Sequence, residues 1–107
     1  MKIGIVLNTN DAETVWNSLR FAVTSLLDNN EVKMFLMGRG VDLDEIEDDR
    51  FDIGKQIVTF MDRGGRILVC GTCLKLRNKE GSNVCPLSTM NDLLELVKES
   101  DRILTFG

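Results

Sequence analysis

The chain of 107 residues contains no histidine, and this absence excludes several common kinds of active site. Without an imidazole base beside a serine, sulfur is the only strong nucleophile that the chain can activate. A structural zinc site takes four cysteine or histidine ligands, whereas the chain has three cysteines. One subunit cannot complete such a site without a carboxylate or a neighbour, so we expect no metal site.

The chain also lacks an excess of positive charge and any long hydrophobic run. Its net charge is −4 and its pI about 4.8, which argues against nucleic-acid binding because phosphate contacts need a basic face. No apolar stretch approaches the ~20 residues of a membrane span, and the opening strand is too short for a signal peptide. An odd number of cysteines in a chain that needs no disulfide framework favours the reducing cytoplasm.

Apolar runs alternate with helical stripes along the whole chain. The runs predict strands near residues 2–7, 31–37, 66–70 and 102–106. Helices are predicted over 11–27, over 51–63 and after Ser88 or Thr89. This alternation predicts a single α/β domain over 1–107, with a mostly parallel sheet between two helical layers in a flavodoxin-like, doubly wound arrangement.

Three finer expectations concern the ends and faces of these elements. Asn10 should cap the first helix, with Glu13 reaching back to it. The acidic run at 42–52 should be a solvated loop leading into the second helix. The last helix should face the core with a stripe at helical spacing: Met90, Leu93, Leu94 and Val97.

Cys70 and Cys73 stand where the third predicted strand ends, the edge at which parallel sheets hold ligands and reacting groups. If a helix begins just after Cys70, its free N–H groups should lower the pKa of that thiol and make Cys70 the most reactive cysteine. Arg77 lies seven residues beyond Cys70 and four beyond Cys73, so a helix would place all three on one face. The alternative is that the thiols are buried and inert, which we favour for Cys85.

The loop after the first strand opens onto the same edge of the sheet. Asn8 and Thr9 are therefore expected, with Arg77, to contact a substrate. The loop has no glycine to cradle a phosphate, and Asp11 and Glu13 would repel one. We accordingly expect no flavin, no nucleotide and no other cofactor.

Four segments of the chain resemble the DsrE/DsrF-like sulfur-relay family, which has TusD-like and YchN-like branches. They are the opening strand and residues 30–38, 65–77 and 101–106. The resemblance implies a three-layer α/β fold, a homotrimer or homohexamer, and protein partners that donate and accept sulfur. It places the persulfide-carrying cysteine at Cys70 and its arginine at Arg77. Cys73 departs from the TusD-like pattern, so the chain looks closer to the YchN-like branch.

Three functions stay open at this point. The leading one is a persulfide carrier with its sulfur on the cysteine that ends the third strand, and whether it acts as a sulfurtransferase stays open. The second is a redox switch in which Cys70 and Cys73 form and break a disulfide. The third is a non-catalytic oligomeric binding or scaffold module with inert thiols.

Overall fold

The computed structural model describes residues 1–78 and 86–107, and a parallel sheet forms its centre. The sheet has five strands in the order β4-β3-β2-β1-β5, and each pairing is parallel. The strands are β1 at Lys2–Leu7, β2 at Glu31–Leu36, β3 at Arg66–Cys70, β4 at Leu87–Ser88 and β5 at Arg102–Phe106. The four predicted strands are confirmed, whereas the two residues of β4 are too few to form a pattern in the sequence.

Helices cover both faces of this sheet. They are α1 at Ala12–Leu27, α2 at Ile53–Asp62, α3 at Gly71–Leu76 and α4 at Met90–Glu99, with a 3₁₀ helix at Gly38–Glu45. The larger hydrophobic core lies beneath α1 and α2, where it includes Val15, Leu19 and Phe60. A smaller core around Phe35, Cys70 and Leu96 lies on the α4 side. The predicted three-layer α/β fold is therefore confirmed.

The acidic run at 42–52 is only partly the solvated loop that we expected. Its first residues belong to the 3₁₀ helix, in which Val41 and Leu43 are buried at 4% and 1% exposure. Asp44 and Glu45, in the same helix, remain exposed. The segment buries its apolar side chains against the sheet and leaves its carboxylates in water, which lowers the cost of so many like charges.

The predicted core stripe of α4 is wrong for three of its four residues. Of the four, only Leu93 packs against the smaller core, beside Leu96, which is buried. The other predicted residues are about half exposed: Met90 at 53%, Leu94 at 49% and Val97 at 47%. Contact with β1 fixes this rotation, because a side chain on Gly4 would lie 2.8 Å from Ser100 Oγ and 3.3 Å from Leu96 Cγ. One apolar stripe of α4 therefore faces away from the sheet.

Asp11, rather than the expected Asn10, caps α1. Its carboxylate accepts hydrogen bonds from the Thr14 backbone N–H at 3.0 Å and from the Thr14 hydroxyl at 2.8 Å. These bonds, the backbone one foremost, hold the pKa of Asp11 below its usual 3.8. Because the pKa is lowered on folding, the cap stabilises the protein fully above pH 3.8, and this contribution is lost as the pH falls through the lowered pKa of the folded state.

We expect the stability of Asp11→Asn to depend less on pH in the acid range, since asparagine caps helices well but does not titrate. Thermal melting followed by circular dichroism from about pH 6 to about pH 2 should show a steeper fall for the wild type than for the variant. Parallel curves for the two proteins would contradict this assignment of the cap.

Candidate thiol site

Cys70 and Cys73 lie on either side of the turn from β3 into α3. Cys70 is the last residue of the strand and the N-cap position of the helix, and its backbone is still extended. It is only 2% exposed and packs with Phe35 and Leu96 in the smaller core. Cys73 lies one turn further on and is half-buried. Both cysteines are free thiols, and Cys73 is the more accessible of the two.

Burial raises the pKa of the Cys70 thiol, and the neighbouring Cys73 side chain adds to the rise. Backbone N–H groups of Cys73 and Thr72 act in the opposite direction but do not outweigh burial. The lowered pKa that we expected for Cys70 is therefore wrong. The physical reason is that the thiol points into a hydrophobic core, where the thiolate loses its hydration, and α3 is too short to compensate.

Cys73 has a polar contact that the sequence did not indicate. The backbone N–H of Gly38, at the start of the 3₁₀ helix, donates a hydrogen bond to Cys73 Sγ at 3.3 Å. Gly38 has a φ of +54°, and a side chain there would come within 2.2 Å of Asn8 Oδ1. Asn8 therefore lies against the glycine that contacts the thiol. The Cys73 sulfur thus has a fixed hydrogen-bond donor from the backbone beside it.

Arg77 contacts the backbone of the thiol turn rather than a sulfur atom. Its Nη1 donates to the carbonyl oxygen of Cys73 at 3.1 Å, and its Nε lies 3.9 Å from Asp42 Oδ1. Asp42 Oδ2 in turn accepts a hydrogen bond from Asn10 Nδ2 at 3.3 Å. Arg77 thus ties α3 to the 3₁₀ helix and, through Asp42, to the loop after β1. Nothing in the sequence distinguished Asp42 from the other carboxylates of the acidic run, so its contacts with Arg77 and Asn10 could not be predicted.

Thr9, another predicted substrate contact, has partners away from the thiols. The Thr9 hydroxyl accepts a hydrogen bond from the Asp11 backbone N–H at 3.1 Å, and its Cβ adjoins Gly107. No hydrogen bond within 1–78 and 86–107 joins Thr9 to either thiol. Cys85 lies outside the described residues.

The fold and the thiols together define the class of this protein. It is an α/β protein with a parallel sheet whose carboxyl edge carries a pair of free cysteines. A sequence profile of the DsrE/DsrF-like family matches residues 1–106, and the chain belongs to that family. Among the helices within the described ranges, none is long and apolar enough to cross a membrane.

Two archaeal proteins are similar to the chain over most of its length. The uncharacterized protein MJ0989 of Methanocaldococcus jannaschii is 34% identical over 100 residues, which cover 88% of each chain. The uncharacterized protein MK0008 of Methanopyrus kandleri is 32% identical over 100 residues, covering 88% of this chain and 83% of its own. Neither relative's name assigns it a reaction.

Proposed function

We propose that this protein is a cytoplasmic persulfide carrier in a sulfur relay, and that Cys73 is the thiol that meets the partner proteins. The observation that carries the proposal is the half-buried Cys73 sulfur beneath the Gly38 N–H, next to a Cys70 thiol that burial keeps protonated. Membership of the DsrE/DsrF-like family supports sulfur transfer as the reaction class. The resemblance to relay members favoured Cys70, whereas the accessibility of the two thiols favours Cys73.

The transfer step is an exchange at sulfur. The Cys73 thiolate attacks the outer sulfur of a donor persulfide, a new S–S bond forms on Cys73, and the donor S–S bond breaks. The donor leaves as a thiolate and takes up a proton from water. The Gly38 N–H contacts Cys73 Sγ, the atom that attacks the donor persulfide. An acceptor thiolate attacks the outer sulfur in the same way and leaves Cys73 reduced.

Burial of Cys70 protects the proposed intermediate. If Cys70 ionised, it would attack Cys73 Sγ, form an internal disulfide and release hydrosulfide. Because attack requires a thiolate, the raised pKa of Cys70 slows this loss of cargo. The arrangement therefore reconciles a carrier role with a second cysteine only three residues away.

Mass spectrometry tests the proposal directly. The reduced protein with Cys85→Ser, incubated with glutathione persulfide and mapped by peptide, should gain one sulfur, about 32 Da, on Cys73. Native alkylation with iodoacetamide should likewise modify Cys73 before Cys70. A protein that gains no sulfur, with both thiols inert to native alkylation, would refute the carrier and leave the scaffold function.

The placement of two free thiols one helical turn apart, at the start of α3, favours a second candidate, the redox switch. A disulfide between Cys70 and Cys73 would lower the mass by about 2 Da. The same experiment separates the two functions, because a switch accumulates the disulfide under mild oxidation and a carrier accumulates the persulfide.

We further propose that the protein forms a homotrimer or homohexamer through the outer stripe of α4. The stripe is Met90, Leu94 and Val97, three large apolar side chains about half exposed on one helical face. Such contiguous apolar surface is typical of subunit interfaces. Leu94→Lys should therefore shift the assembly toward the 12 kDa monomer in size-exclusion chromatography with light scattering.

The matched control is Val58→Lys on α2, which replaces an apolar residue that is at least as exposed (59%) and lies outside the stripe. It should leave the molar mass unchanged. A wild-type protein that is monomeric at micromolar concentration would contradict the proposed assembly.

A further inference from the structure

A cationic cleft lies at the amino-terminal edge of the sheet, opposite the thiols. Its volume is about 430 Å³, within the size range of small-molecule sites. The described residues that line it include one carboxylate, Glu31, and four cationic side chains. The cations are Lys2, Lys33, Arg63 and Arg66. This lining contrasts with the net charge of −4 of the chain as a whole.

The four cations are not equally neutralised. Lys33 pairs with Glu99, and Lys2 lies 3.9 Å from Glu31. Arg63 and Arg66 have no carboxylate partner among the residues that the structure describes. The two arginines therefore face the cleft with their guanidinium groups uncompensated.

The sheet register places two cations side by side at the cleft. Arg66 on β3 lies directly opposite Lys33 on β2, so both side chains project from the same face. Glu99 offsets the charge of Lys33, whereas Arg66 has no such partner among the described residues. A guanidinium group presents a planar fork of N–H donors that matches the oxygens of a phosphate group. The lining is thus suited to a compact anion with several oxygens.

We propose that this cleft binds a small phosphate-bearing anion, with Arg63 and Arg66 as its principal ligands and Lys33 and Lys2 in support. The proposal does not rest on the sulfur chemistry, since the cleft and the cysteines lie at opposite ends of the strands. Isothermal titration calorimetry with inorganic pyrophosphate at low ionic strength should give one site per chain. The backbone amide resonances of Val32 and Gly64, which line the cleft, should shift during the titration.

Variants locate the site. Arg63→Ala and Arg66→Ala should each weaken pyrophosphate binding by about tenfold or more, the loss typical of a charge-assisted hydrogen bond. Arg66→Lys, which keeps the charge but not the fork, should weaken it less. The matched control is Arg39→Ala, which removes an exposed arginine of the 3₁₀ helix at the other edge and should leave affinity unchanged. Cys73→Ser should also leave it unchanged.

Absence of pyrophosphate binding, or an equal loss in the Arg39→Ala control, would overturn the proposal. A short single-stranded RNA distinguishes the other source of phosphate. If RNA binds through Arg63 and Arg66 while pyrophosphate does not, the cleft is a nucleic-acid contact and not a small-anion site.

Discussion

Replacing Cys73 by serine should abolish sulfur loading, while replacing Cys70 by alanine should leave it intact. Serine keeps the size of the side chain and its contact with the Gly38 N–H but has no nucleophilic sulfur. We expect the persulfide signal of Cys73→Ser to fall to background in peptide mapping after treatment with a persulfide donor. In Cys70→Ala the loading should persist, and the persulfide on Cys73 should last longer because no internal thiol can displace it.

The opposite pattern would reassign the site. If Cys70→Ala abolishes loading and Cys73→Ser retains it, Cys70 is the carrier, as the resemblance to relay members implied. Both variants need the Cys85→Ser background, so that a third thiol does not contribute to the signal. Circular dichroism should confirm that each variant folds, because Cys70→Ala also removes a buried sulfur from the core around Phe35.

The layers of the fold could be predicted because they depend on local patterns. The continuous apolar run of β1 and the helical stripe that includes Val15 and Leu19 identify their elements without knowledge of any neighbour. The rotation of α4 could not be predicted, because it depends on how closely the helix approaches Gly4 on β1. A pattern within α4 shows that the helix has apolar positions but does not say which of them meet the sheet.

The chemical character of the site was harder to predict than its location. The sequence placed Cys70 and Cys73 at the carboxyl edge of the sheet, and the structure has them there. It did not indicate that Cys70 turns into the core, which reverses the expected shift of its pKa. Nor did it indicate the contact between Cys73 and Gly38, which joins residues 35 positions apart. Both features arise from tertiary packing.

Gly40 holds the 3₁₀ helix against the end of β1, close to the thiol turn. The Cβ of a side chain at this position would lie 2.1 Å from the carbonyl oxygen of Leu7, a distance that non-bonded carbon and oxygen atoms do not tolerate. The Gly40 N–H also donates to the Met37 carbonyl at 2.9 Å, so the backbone is fixed on both sides. The obstacle is backbone rather than a flexible side chain, and it cannot move without displacing β1.

Gly40→Ala should therefore cost about 3 kcal/mol or more of unfolding free energy, measured by urea denaturation. That is a large share of the stability of a typical domain. The matched control is Gly54→Ala within α2, where the nearest atom would lie 3.9 Å away and alanine should stabilise the helix by up to about 1 kcal/mol. If Gly40→Ala unfolds at the wild-type urea midpoint, the 3₁₀ helix does not pack on Leu7 as described. The Gly38 contact with Cys73, which depends on the same helix, would then lose its support.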